Sequence, residues 1–104
     1  MTTEAEEIRV LDARDAGRYE AYVGDALAAH VTYRLRGSRI TFVHTEVDPA
    51  FEGRGVGRRL ATWALDDVCG RGLAVRPRCP FIAAFIRRHP EYADLVEGGA
   101  VGPA

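Results

Sequence analysis

Between Val47 and Leu60 the chain reads Val-Asp-Pro-Ala-Phe-Glu-Gly-Arg-Gly-Val-Gly-Arg-Arg-Leu, and this run constrains the fold more than any other. It joins an alternating strand pattern directly to the one long helical pattern, so strand, turn and helix follow in that order. Gly53, Gly55 and Gly57 let the main chain turn sharply with no Cβ in the way, and successive N–H groups converge in front of the helix. A helix start carries unpaired donors and about half a positive charge. Arg54, Arg58 and Arg59 add full charges, so a phosphate or pyrophosphate is the natural guest. No Lys-Ser or Lys-Thr follows the glycines, which excludes a nucleotide-triphosphate loop. The spacing also misses Gly-x-Gly-x-x-Gly, and nothing before it reads as the first strand of a dinucleotide fold.

At 104 residues, 47% of them hydrophobic, the chain suits one domain with its own core. Fourteen basic residues against fifteen acidic ones give a formal net charge of -1, so bulk charge argues against a nucleic-acid partner. No apolar run is long enough to span a bilayer, and the opening residues are acidic where a signal peptide is basic and then apolar. A cytoplasmic protein with no membrane partner is expected. Cys69 and Cys79 then read as thiols, and the scattered His30, His44 and His89 offer no zinc-ligand spacing, so no metal is expected.

A short apolar run, Ile8 to Asp12, is followed by a segment, Ala13 to Gly17, that holds no more than a turn. Arg18 to Val23 alternates with strand periodicity, and Gly24-Asp25 and Gly37-Ser38 are hairpin turns. Between them, Leu27, Ala29, Val31, Tyr33 and Leu35 fall on one face. In Arg39 to Val47 the alternation groups Ile40, Phe42, His44 and Glu46 on one side. A helix is predicted from about Gly55 to Val68 or Cys69, with Leu60, Ala61, Ala64, Leu65 and Val68 inward and Cys69 in the core. Gly70 and Gly72 end it. Leu73 to Arg76 forms a strand that returns beside the fourth by a right-handed crossover. Pro80 opens a last helix with Phe81, Ile82, Phe85 and Ile86 as its buried stripe. Residues 8–96 form the domain, with flexible segments 1–7 and 97–104 on either side.

This order of elements, an antiparallel meander of four strands, a glycine turn and helix crossing over to a fifth parallel strand, and a C-terminal helix, resembles the GNAT superfamily of acetyl-CoA-dependent N-acetyltransferases, an α/β (α+β) mixed-sheet fold. Glu52-Gly53-Arg54-Gly55-Val56-Gly57, with Cys79-Pro80-Phe81 and His89-Pro90-Glu91-Tyr92, resembles its small single-domain branch. The resemblance implies acetyl-CoA as co-substrate and an amine as acceptor. It implies pyrophosphate held by the amides of Arg54, Gly55, Val56, Gly57 and Arg58, with Arg59 nearby, and pantetheine paired with the strand near Val47. Glu52 stands where the superfamily has Gln or Arg and cannot help bind phosphate. Larger relatives carry one or two helices between the first two strands; Ala13 to Gly17 has no room for them. An open acceptor site fits an amine exposed on a protein or a bulky small molecule.

Acetyl transfer needs a neutral amine, a donor for the thioester oxyanion and close positioning. Cys79, directly before Pro80, should lie at a helix N-terminus, where the dipole favours a thiolate able to take the acetyl group and pass it on. A buried Cys79 that only lines the channel is the other reading. His44 and Glu46, on one strand face, are candidate general bases, and Tyr92 a candidate acid, though packing explains it as well. The rival function is a non-catalytic module that keeps the coenzyme A cleft for sensing or for docking a protein.

Overall fold

The computed structural model describes residues 7–97, so the expected flexible ends lie outside the described residues apart from Glu7 and Glu97. Five strands pair in the order β1 (Ile8–Ala13), β2 (Arg18–Val23), β3 (Ala26–Arg36), β4 (Arg39–Val47) and β5 (Ala74–Pro77), the first four antiparallel and β4 with β5 parallel. Helix α1 (Val56–Gly70) makes the crossover between β4 and β5, and α2 (Pro80–Arg88) follows β5. Single 3-10 turns cover Arg14–Ala16, Pro49–Phe51 and Pro90–Leu95. The element order is the expected one, and the β1–β2 connection is one such turn, with no helical wall.

Helix α1 buries Val56, Leu60, Ala61, Ala64, Leu65 and Val68, the stripe its 3.6-residue spacing predicts. That stripe meets Tyr19, Ala21, Val31, Ile40, Phe42 and Val75 from the sheet, and Ile82, Phe85 and Ile86 from α2 join the same core. Both helices therefore cover one face. The opposite face carries Glu20, His30, Thr41, Glu46 and Arg76, and among the described residues no helix lies across it.

A two-residue turn at Gly37-Ser38 sets Tyr33 opposite Phe42, but beyond that point β4 carries one extra residue, Val43, and the register shifts so that Thr32 faces His44. This bulge corrects the expected face assignment. Ile40 and Phe42 are fully buried, whereas His44 and Glu46 are exposed, because the extra residue inverts the alternation. A second bulge at Ala28 leaves both Ala28 and Ala29 buried. Two further expectations fail for reasons of coverage: Cys69 is exposed on the last turn of α1, and Phe81 is 37% exposed at the start of α2. Leu35 keeps its expected face, opposite Ile40, but is exposed at the hairpin tip.

A polar network fixes the far end of α1 to the sheet. Tyr19 Oη donates to Asp67 Oδ2 at 2.8 Å, and Tyr33 Oη donates to Asp12 Oδ1 at 2.6 Å. Arg71 Nη1 donates to Asp12 Oδ2, Asp67 Oδ2 and Tyr19 Oη at 3.2, 3.1 and 3.3 Å. The ring of Tyr19 is wholly buried while its hydroxyl is partnered, so a large apolar body enters the core without an orphan donor. Tyr92 Oη similarly donates to Asp66 Oδ1 at 2.7 Å and ties the last 3-10 turn to α1, a packing role.

Two predictions follow from this network. Tyr19→Phe strands part of a carboxylate that the hydroxyl satisfied, and denaturant unfolding should show a loss of about 1–3 kcal/mol. Burial and a carboxylate partner push Tyr33 and Tyr92 each up to about 12 from the ordinary 10.0. Their stabilising contribution is whole below the unfolded value and is lost as the pH rises through the folded one. Melting temperature should fall between about pH 10 and 12, less steeply in a Tyr33→Phe/Tyr92→Phe variant.

Candidate functional site

Pairing between β4 and β5 stops after four pairs, at Phe42 opposite Pro77, while β4 runs on to Val47. Proline has no N–H to offer the ladder, and the last rung is the Cys79 amide donating to the Phe42 carbonyl at 2.9 Å. Pro80 then turns the chain into α2, with Cys79 as its N-cap. Beyond Phe42, therefore, the side of β4 that faced β5 faces no strand. A cleft of about 660 Å³ opens there, bounded by Val47, the glycine turn, the first turn of α1, and Phe81, Ala84, Phe85 and Arg88 of α2.

The turn is built as its sequence suggests, with one change. Asp48 Oδ1 accepts from the Ala50 amide at 2.9 Å and Pro49 opens the 3-10 turn. Gly53 and Gly55 take φ of +81° and +78°, where a side chain is strained. Gly57 does not; it lies inside α1, where a Cβ would come 3.0 Å from Phe81 Cζ and 3.5 Å from Val47 Cγ2. Its bareness serves a close approach of α2 and β4. The first rung of α1 is the Arg59 amide donating to the Gly55 carbonyl at 3.0 Å, so the amides of Val56, Gly57 and Arg58 precede the ladder and point ahead of the helix.

The expected cofactor-binding residues divide unequally. Val47, Gly55, Val56, Gly57 and Arg58 line the cleft together. Arg54 does not line the cleft; it lies over the ring of Phe51, which does, 5.2 Å from the ring centroid. Arg59 does not line this cleft but a neighbouring groove with Ile8, Gly55, Arg58 and Thr62, so Arg58 borders both. Glu52 also borders the cleft.

The candidate catalytic residues are not all in one place. His44 Nε2 and Glu46 Oε2 stand 3.5 Å apart on the uncovered face, their side chains 60% and 66% exposed. Cys79 is 1% exposed, and its Sγ is 3.0 Å from Thr45 Oγ1, on the other side of β4. His30, which alternation alone left unremarked, joins the first pair: it sits directly across from Glu46, with Nε2 4.0 Å from Oε1. Burial, then the nearby Arg18, holds the His30 imidazolium below its usual range, so the ring is neutral near pH 7 and can accept a proton. The signal for His30 was its position in the hairpin, but counting from the turn pairs it with Thr45; only the Val43 bulge brings Glu46 opposite.

On that same face Glu20, 8% exposed, accepts from Arg18 Nε at 2.7 Å and Tyr22 Oη at 2.8 Å. Burial pushes its carboxyl up, but these two partners outweigh it and leave the group below the ordinary carboxylate range. Its fixed negative charge lies across from His30.

An open mixed sheet that releases its parallel edge strand beside a helix start rich in free amides defines an α/β protein with an anion-suited cleft at the sheet edge. Residues 18–95 match the family of the GCN5-related N-acetyl-transferase, and the chain belongs to that family. Protein NATD1 of Bos taurus is 38% identical over 63 residues, 60% of this chain, and the chain spans 56% of that relative's length. Protein NATD1 of Danio rerio is 28% identical over 109 residues, covering 89% of this chain and 96% of that relative. The solution structure of a GCN5-like protein from Staphylococcus aureus matches with a TM-score of 0.65 at 22% identity over 91% of both chains, which shows a shared fold. Among the described residues no group of three or more side chains suits a metal ion, and no helix is long and apolar enough to cross a membrane.

The backbone of the turn can be tested without a ligand. Since a Cβ at Gly55 meets nothing within 4 Å, Gly55→Ala should lose only the left-handed strain, about 1–2 kcal/mol in denaturant unfolding. Gly55→Asn should lose less, because asparagine tolerates this conformation better.

Proposed function

We propose that the protein binds acetyl-CoA in the cleft between the glycine turn and α2 and transfers the acetyl group directly to an amine presented on the uncovered sheet face. The observation that carries this is the early release of β4 by β5, which opens an edge of main chain beside the amides of Val56, Gly57 and Arg58. Those parts fit the co-substrate. The amides and Arg58 suit a pyrophosphate, the β4 edge near Val47 suits an extended pantetheine with its own amides, and Phe81 and Phe85 wall the channel. Glu52 takes no part in holding phosphate.

The co-substrate supplies an activated thioester; the chain supplies proton transfer and position. An incoming amine is an ammonium near pH 7 and must lose a proton before its nitrogen can attack. Glu46, flanked by His30 and His44, is the group we assign to that step, with neutral His30 able to relay the proton. In the overall exchange a C–N bond forms and a C–S bond breaks, and the proton removed from nitrogen balances the departing thiolate. Cys79 packs against Thr45 below this face, beyond reach of the incoming amine. We assign it a packing role at the start of α2. The acceptor is an exposed amine, since among the described residues no helix encloses that side of the sheet, and an amine on a protein fits best.

Coenzyme A at about a hundred times its dissociation constant should stabilise the protein by roughly 2.7 kcal/mol, seen as a rise in Tm, and Arg58→Glu should remove most of it. With an amine panel, Glu46→Gln should lower kcat by about 10²-fold or more, while Cys79→Ser stays within a few-fold. An acetyl mass retained on Cys79 without acceptor, together with a dead Cys79→Ser variant, would replace direct transfer by a covalent route. A thermal shift with no turnover on any amine would leave a non-catalytic coenzyme A or docking module.

A further inference from the structure

The uncovered face has a second feature that proton transfer does not use. Arg34, Arg36, Arg39, Arg76 and Arg78 surround a groove of about 540 Å³ whose floor is Thr41 and Val43. The sheet register places them. Arg34 is opposite Thr41, and Thr41 is opposite Arg76, so one row crosses three strands; Arg36 is opposite Arg39 in the next row. Arginines directly opposite each other cost stability. Five of the fourteen basic residues thus share one small area of a chain whose net charge is -1.

One carboxylate already reaches the groove. Glu97 Oε2 lies 3.1 Å from Arg39 Nε and its Oε1 lies 3.6 Å from Arg76 Nε. Among the described residues no other carboxylate stands within ion-pair distance of these five arginines, so four positive charges exceed the negative one. The groove also has a direction. Its last residue on β4, Val43, precedes His44, and its last residue after β5, Arg78, precedes Cys79. It runs from the Gly37-Ser38 hairpin to the edge of the candidate catalytic centre.

Resting on the acetyltransferase reading above, we propose that this arginine groove docks an acidic, Asp- or Glu-rich segment of the acceptor protein and so delivers a neighbouring amine to Glu46. The Glu97 carboxylate shows the chemistry that seats there, and guanidinium forks pair with carboxylates in two-point geometry. A nucleic-acid strand is the poorer occupant, because the patch is confined to three strand ends and the chain as a whole is slightly acidic.

Fluorescence anisotropy with a labelled peptide carrying several glutamates and no lysine reads the docking step alone, on the full chain. Saturable binding should weaken as sodium chloride is raised. It should weaken about tenfold or more in Arg34→Glu/Arg78→Glu, by less in Arg34→Gln/Arg78→Gln, and should tighten in Glu97→Gln, which removes the internal competitor. These exposed substitutions lie outside the cleft, so the coenzyme A shift in Tm should persist, and a failure of docking is distinguishable from a failure of the acetyltransferase reading. Absence of peptide binding, undiminished binding by both double variants, or tighter binding of a single-stranded RNA of equal charge would overturn the proposal.

Discussion

The short parallel ladder between β4 and β5 is the constraint from which the cleft follows. Had β5 continued, it would have sealed the edge of β4, and the tip of α1 would have faced a closed sheet. Pro77 removes the donor that a further rung needs, and Pro80 starts α2 at once, so the chain leaves the sheet where β4 still has half its length to run. One local stop therefore creates both the open edge and its opposite wall. Ile82, Phe85 and Ile86 anchor α2 in the core beneath it, which holds the wall in place while Phe81 faces the cleft.

The Val43 bulge governs the other side of the sheet. Because it inverts alternation halfway along β4, the strand presents Ile40 and Phe42 to the core, then Thr45 and Val47 to the cleft side, and His44 and Glu46 to the uncovered face. A strand without the bulge would have buried two ionisable groups under the helices, at a desolvation cost of several kcal/mol each. The extra residue instead separates a packing surface from a polar one within nine residues. It also brings His30 and Glu46 into register, so the same irregularity that keeps the core dry assembles the polar cluster.

Most of the architecture was legible in the sequence because it rests on local periodicity. Leu60, Ala61, Ala64, Leu65 and Val68 of α1 are buried as predicted, and the turns at Gly24-Asp25 and Gly37-Ser38 lie where glycine takes positive φ. What escaped depends on partners distant in the chain. A bulge leaves no mark in a run of alternating residues, since Val43 is as good a strand residue as its neighbours. Cys69 and Phe81 have core chemistry, and only the extent of the opposing surface decides that they remain exposed. The cleft was legible from Gly53 to Arg58; its far wall was not, because Phe81, Ala84 and Arg88 reach it only after β5 and α2 are placed.

The kind of cation on this surface is itself informative. All fourteen basic residues are arginine. A lysine amine with an ordinary pKa near 10.4 becomes neutral often enough to compete for a thioester, especially where neighbouring charges or burial lower that value further. Guanidinium keeps its proton throughout the working range, so it can crowd an acyl-transfer centre as a fixed charge without becoming an acceptor. Arg76 and Arg78, on and just beyond β5, and Arg58, in the first turn of α1, therefore offer no amine that could compete for the thioester proposed for this cleft. On the proposed reading, a chain without lysine leaves the acceptor's role to an incoming amine, and the uncovered sheet face gives that amine its approach.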